Sequence, residues 1–182
     1  MKSIKILLLM LAYVLCMLSC DEPLDPTKEG KVLLGDKYVD VCTEFTDEQA
    51  IEILKSSLWY DDGYPYIYNN TQMVQVYDVN RDSKWYKFEE GGIFKTDYDK
   101  NDIDDGPEFE YAVKDKILAL RYVYRDILGN IYSDNTSYVK LVGIDKKRVV
   151  FDMDGVNCYI PKDFPIEVDE DVKTRVVWNA KK

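Results

Sequence analysis

The chain has 182 residues, 34 acids against 24 lysines and arginines, a formal net charge of −10, and no histidine. The acidic balance repels phosphate backbones and argues against a nucleic-acid partner. The missing imidazole rules out Ser-His-Asp and Cys-His catalysis and histidine-ligated metals. Aromatic residues make up 13% of the chain, which indicates a packed domain rather than a disordered acidic tail.

Lys2 and Lys5 lead into an apolar run over 6–15. A helix of that length covers about 15 Å, half of a hydrocarbon layer of roughly 30 Å, so it suits the core of a secretory signal better than a span. Met17-Leu18-Ser19-Cys20 follows, and this resembles the lipobox of bacterial lipoproteins. The resemblance implies cleavage after Ser19, diacylglycerol on the Cys20 thiol, and acylation (palmitate) of the new amino terminus. It also implies an outer-membrane, lipid-anchored address, on the cell surface or the periplasmic face. Asp21 and Glu22 resemble the acidic surface-export signal that follows the lipidated cysteine in some Gram-negative lineages. With Pro23, Pro26 and Gly30, the stretch 20–35 reads as the lipidated cysteine and a flexible tether. A single β domain is expected over 36–182.

Residues 37–42 suit a short strand. Thr46 with Gln49 three residues later makes a capping box, and Asp47 and Glu48 occupy the first turn. Ala50, Ile51, Ile53, Leu54 and Leu58 then share one helical face, predicting a helix near 46–57. After Trp59 the period changes to two. Strands are predicted over 73–77, 85–89 and 93–98, the last two flanking Glu90-Gly91-Gly92. Phe109, Tyr111 and Val113 alternate with polar partners, and Lys114-Asp115 turns into a strand over 117–124. The turn 126–130 precedes strands over 137–144 and 148–153. Asp154-Gly155 predicts a hairpin into 157–160, and 175–178 adds a last strand. Sequential hairpins after one helix predict a mainly β fold: an antiparallel meander forming a small barrel or sandwich.

The order of these features resembles the lipocalin-like domains of secreted bacterial lipoproteins. The likeness runs from Thr46 to about Ile160. It rests on the helix, on Trp85-Tyr86-Lys87-Phe88-Glu89-Glu90-Gly91-Gly92-Ile93-Phe94 as a strand, acidic-glycine turn and strand, and on Phe109-Glu110-Tyr111-Ala112-Val113 running into Leu118-Ala119-Leu120 as the next hairpin. Ser57 stands where lipocalins carry the glycine of Gly-x-Trp. The resemblance implies a lipocalin-like barrel with a helix near its start.

Trp59, Tyr64, Tyr66 and Tyr68 are candidate ligand-binding residues: on an extended chain the three tyrosines point the same way and could stack on sugar rings. The other reading has them packed on the helix or over the barrel mouth. Cys42 and Cys158 are the two cysteines left to the fold. They are either a disulfide, stabilising by about 4–5 kcal/mol in the chain-entropy picture, or two packed thiols. Asp97, Asp99, Asn101, Asp105 and Glu108 fall at EF-hand-like spacings, a calcium candidate; Asp78, Asn80 and Asp82 repeat the pattern in shorter form. No other metal and no cofactor is expected, and no catalytic residue stands out. The reading is a non-enzymatic, lipid-anchored envelope domain that binds a glycan, a small molecule or an envelope protein. The alternatives are a structural subunit of an envelope complex and a carboxylate-based hydrolase.

Overall fold

The computed structural model describes residues 23–77, 83–156, 158–161 and 163–181. The signal-like run, Cys20 and the Asp78–Asn80–Asp82 group lie outside them. Thirteen strands and one helix follow in chain order among the described residues: β1 (Thr27–Lys28), β2 (Lys31–Leu34), β3 (Lys37–Asp40), α1 (Asp47–Lys55), β4 (Leu58–Asp61), β5 (Tyr66–Tyr68), β6 (Met73–Gln75), β7 (Lys84–Glu89), β8 (Ile93–Asp97), β9 (Glu108–Lys114), β10 (Ile117–Arg125), β11 (Ile131–Ile144), β12 (Arg148–Asp154) and β13 (Lys173–Lys181).

Strands β7 to β12 pair in succession, antiparallel throughout. β13 then joins β12 to β4, and β4 joins β7, so eight strands close on themselves as a barrel rather than a sandwich. Closure removes the free edges along the barrel wall itself. β5 and β6 extend from the first half of β13, where Tyr66–Tyr68 pair with Arg175–Lys173.

The period-two pattern decides what fills the barrel. Phe109 and Tyr111 of β9 point inward with Tyr86 and Phe88 of β7, Phe94 of β8, Leu118 and Leu120 of β10, and Trp178 of β13. Tyr86 stacks on Trp178 at 4.3 Å between ring centroids, Phe151 meets Trp178 edge-on at 4.7 Å, and Tyr122 meets Phe94 edge-on at 5.3 Å. An eight-stranded barrel is just wide enough for such side chains to fill, and here aromatic rings occupy it.

Helix α1 closes one end. Its capping box is formed on both sides, between Thr46 and Gln49. Ala50 and Leu54 face the barrel core, and the carbonyl of Leu54 accepts the Trp59 indole N–H at 2.7 Å. Asp47 does more than favour the helix dipole. Its carboxylate accepts the backbone N–H groups of Asp115 and Lys116, at 2.8 and 3.0 Å. Both residues have positive φ, 54° and 60°, the geometry of a tight hairpin turn that glycine and asparagine usually supply. A carboxylate from the helix thus holds the β9–β10 turn in a backbone conformation its own residues disfavour.

Two expectations are corrected. Strands begin at Thr27, inside the stretch read as tether. Lys31-Val-Leu-Leu34 brings Val32 and Leu33 to a buried position, and β1–β3 form a small antiparallel sheet against the outside of the barrel. Val32 and Val41 pack there on Val150. For this reason β12 is buried on both faces, with Val149 and Phe151 inward and Val150 and Asp152 outward. The approach is close: a Cβ on Gly143 would lie 2.5 Å from Val41 Cγ1. The second correction concerns the strand expected over 157–160. Gly155 turns, with φ 73°, but the described residues beyond it run as irregular chain, and the partner that β12 needs comes from β13 instead.

One polar group joins the two layers. Arg175 of β13 has no side-chain exposure. Its Nε and second terminal nitrogen donate to the two Asp152 oxygens at 2.7 and 2.9 Å, and its other terminal nitrogen donates to the carbonyls of Pro26 and Leu33 at 2.7 and 3.0 Å. The Tyr68 hydroxyl donates to Asp152 at 2.7 Å. Burial opposes the charge on Arg175, but the Asp152 carboxylate overcomes this and holds the guanidinium above its usual range. Burial, and then the Asp152 charge, push the Tyr68 phenol well up.

Three outcomes follow from these contacts. Asp152→Ala strands a buried guanidinium and should lower stability by about 3–5 kcal/mol in urea unfolding. Gly143→Val should cost about 1–3 kcal/mol, because Val41 is short, stiff and already packed. The backbone N–H groups of Lys116 and Asp115 hold Asp47 below its ordinary value of 3.8. Its contribution is therefore complete above that pH and is lost as pH falls further. Asp47→Asn should flatten this acid limb in thermal melts followed by circular dichroism.

Candidate binding surface on the outer wall

The residues singled out from sequence disperse in the fold. Trp59 is fully buried inside the barrel. Tyr68 is buried in the Arg175 network, and Tyr66 packs beside it in a cluster with Leu24, Leu33 and Met73. Tyr64 lies before β5, exposed, with its ring 5.1 Å from that of Tyr77. The three tyrosines do not form one accessible face, because the N-terminal sheet covers the side of β5 that carries Tyr66 and Tyr68.

No disulfide joins Cys42 and Cys158. Cys42 sits at the helix end of the barrel, where its carbonyl accepts the Ile144 N–H, and its thiol donates to the Glu44 carbonyl at 3.0 Å. Cys158 lies in the chain between β12 and β13 and packs near Ile67 and Val172. The calcium candidate does not assemble either. Asp97 accepts the Asp99 N–H, Asp99 accepts the Asn101 N–H, and Glu108 pairs with Lys95. Lys87 takes up Asp104. Carboxylates occupied by local amides and lysines point apart, and no acidic group that could hold a metal forms among the described residues.

The outer wall presents an aromatic surface that the sequence reading passed over. On β4 and β7, Trp59 and Tyr86 point inward, so their neighbours Tyr60 and Trp85 must point outward. They are register partners, with ring centroids 4.6 Å apart and planes tilted by 42°. The row continues through Asn179 of β13 on one side and Asp97 of β8 on the other. Lys181 lies 5.5 Å from the Tyr60 ring and Lys100 lies 5.7 Å from Trp85. The result is a half-exposed aromatic pair rimmed by an amide, a carboxylate and two ammonium groups. Two open grooves of about 710 and 830 Å³ also mark the surface, one on each side of the chain at Gly30 and Cys42, outside the barrel.

No model of a known protein family matches the chain, and no curated protein or solved structure does so. The surface is therefore read from its own chemistry.

Trp59→Ala should cost about 3–5 kcal/mol of stability, since it empties a filled core. Trp85→Ala should cost only about 0.5–1.5 kcal/mol, the worth of its pairing with Tyr60. Paired urea titrations of the two variants measure the difference.

Proposed function

We propose that this chain is a lipid-anchored envelope protein, held by acylated Cys20, whose barrel is a non-enzymatic binding module working from its outer wall. The observation that carries the binding reading is the Tyr60–Trp85 pair. Both rings are half-exposed on a rigid sheet, each with a lysine ammonium over it, while the barrel lumen is occupied by the protein's own side chains. A glycan suits such a surface. Its C–H faces stack on tilted rings, Asn179 and Asp97 can accept its hydroxyls, and Lys100 and Lys181 can donate. Strands fix the geometry before binding, so little ordering cost is left to offset the contact energy. The anchor reading is carried by Ser19-Cys20 behind the apolar run.

A glycan array probed with the mature chain tests the binding half. Bound glycans should lose about two- to tenfold in affinity on Trp85→Ala or Tyr60→Ala, the typical size for losing one stacking partner. Unchanged binding in both variants would overturn the site. Cleavage of a bound glycan would shift the reading to the hydrolase. Growth with labelled palmitate tests the anchor: label should enter the wild type and be absent from Cys20→Ser.

A further inference from the structure

Strands β10 and β11 run on past the barrel wall. β9 pairs with β10 only as far as Arg121, and β12 pairs with β11 only from Lys140, so among the described residues Tyr122–Arg125 have only β11 as a strand partner. At the tip, the turn is built by Asp126, Gly129 and Asn130. The Asp126 carboxylate accepts the N–H groups of Leu128 and Asn130 at 2.8 and 2.9 Å and the Asn130 side-chain amide at 3.0 Å. Nothing in this turn calls for an apolar side chain. Yet Ile127 is 102% exposed and Leu128 is 81% exposed, with Ile131 and Tyr132 also out in water and Tyr124 behind them.

The position of this tip relative to the chain's entry is set by the topology. In an antiparallel barrel the β10–β11 turn falls at the end opposite α1. β5 runs against β13, so the β5–β6 turn falls at that same end. Leu24 is fixed there, its N–H donated to the Asn70 carbonyl at 2.7 Å, and Pro26 is held by Arg175. Four strand spacings separate β5 from β10, about 20 Å along the wall. Cys20 is four residues before Leu24, a reach of at most about 14 Å. An acyl chain on Cys20 therefore brings this end of the barrel, and the apolar tip with it, down to the lipid.

We infer that the β10–β11 hairpin tip docks into the lipid surface, with Ile127 and Leu128 as wedges and Tyr124 and Tyr132 at headgroup level. The anchoring geometry rests on the Cys20 reading above; the hairpin's own lipid contact does not. Several turn amides are already satisfied by Asp126, so entering a less polar layer leaves them bonded. Tyrosine suits the boundary between headgroups and acyl chains. The acidic β8–β9 loop lies at the same end, with Asp99, Asp102 and Asp105 against Lys100. Arg121 is matched by Glu110 and Asp134, and Arg125 at the tip, its guanidinium on the Gly129 carbonyl, stands next to Asp126, so acids outnumber cations here. The lipid it fits is consequently zwitterionic, since anionic headgroups would repel this end.

The test uses the mature chain from residue 20 carrying Cys20→Ser, which retains every described residue and has no acyl chain. It should co-sediment with phosphatidylcholine vesicles and bind phosphatidylglycerol vesicles less well. The double variant Ile127→Asp with Leu128→Asp should lose at least about tenfold in vesicle affinity. Its thermal midpoint should not move, because neither side chain packs on the fold. Equal binding by the double variant, or no binding by the parent, overturns the inference. A dimeric parent that the double variant renders monomeric, with no vesicle binding by either, assigns the tip to a second copy of the chain instead. Palmitate labelling of the wild type reads the anchor separately: an unlabelled Cys20 with intact vesicle binding overturns the anchor and supports the hairpin.

Discussion

A guanidinium placed wholly out of water must find partners for its charge and its donors, and Arg175 finds them on three separate pieces of chain. Asp152 on β12 supplies the charge, and the N-terminal segment supplies the carbonyls of Pro26, just before β1, and Leu33 of β2. Tyr68 on β5 completes the carboxylate's bonds and lies under the guanidinium at 5.0 Å. Removing any partner leaves the others buried and underbonded, so these segments are fixed relative to one another. The consequence reaches beyond stability. Because Leu24 and Pro26 are held, the first described residues are fixed to the barrel, and the barrel has one end that a lipid on the proposed Cys20 anchor would draw to the bilayer.

The second constraint is volume. Eight closed strands leave a lumen about the width of packed side chains, and this sequence fills it with Trp59, Tyr86, Phe88, Phe94, Phe109 and Trp178. A barrel filled this way is a rigid pillar that leaves its outer wall and its loops, not its lumen, open to contact. The outward positions of β4 and β7 then gain importance, as do the loops at the end opposite the helix. Tyr60 and Trp85 belong to the first group, and the tip at Ile127 and Leu128 to the second.

How much of the site was legible can be seen residue by residue. Alternation along β7 already puts Trp85 on the face opposite Tyr86 and Phe88, so an outward tryptophan could have been read from the sequence. Its pairing with Tyr60 could not, because that needs the register between two strands separated by more than twenty positions. The tyrosines 64, 66 and 68 show the reverse. Their period of two is real for Tyr66 and Tyr68, yet the face they share is the one the N-terminal sheet covers. The acidic stretch over 97–108 has calcium-like spacing, but spacing carries no information about Lys87 and Lys95 on the adjacent strands, which take up its carboxylates.

The sequence by itself determined what depends on neighbours along the chain. The Thr46 capping box, the inward alternation of Phe109, Tyr111 and Val113, and the turns at Gly91-Gly92 and 126–130 are all properties of short segments. They dictate a helix followed by antiparallel hairpins. Only the tertiary structure decided the closure of β13 onto both β12 and β4, the burial of β12 on two faces, the order imposed on 24–34, and the separation of Cys42 from Cys158. Each of these joins residues far apart in the chain. Such contacts are selected by packing volume and by the need to pair buried charge, and neither is written in the local pattern.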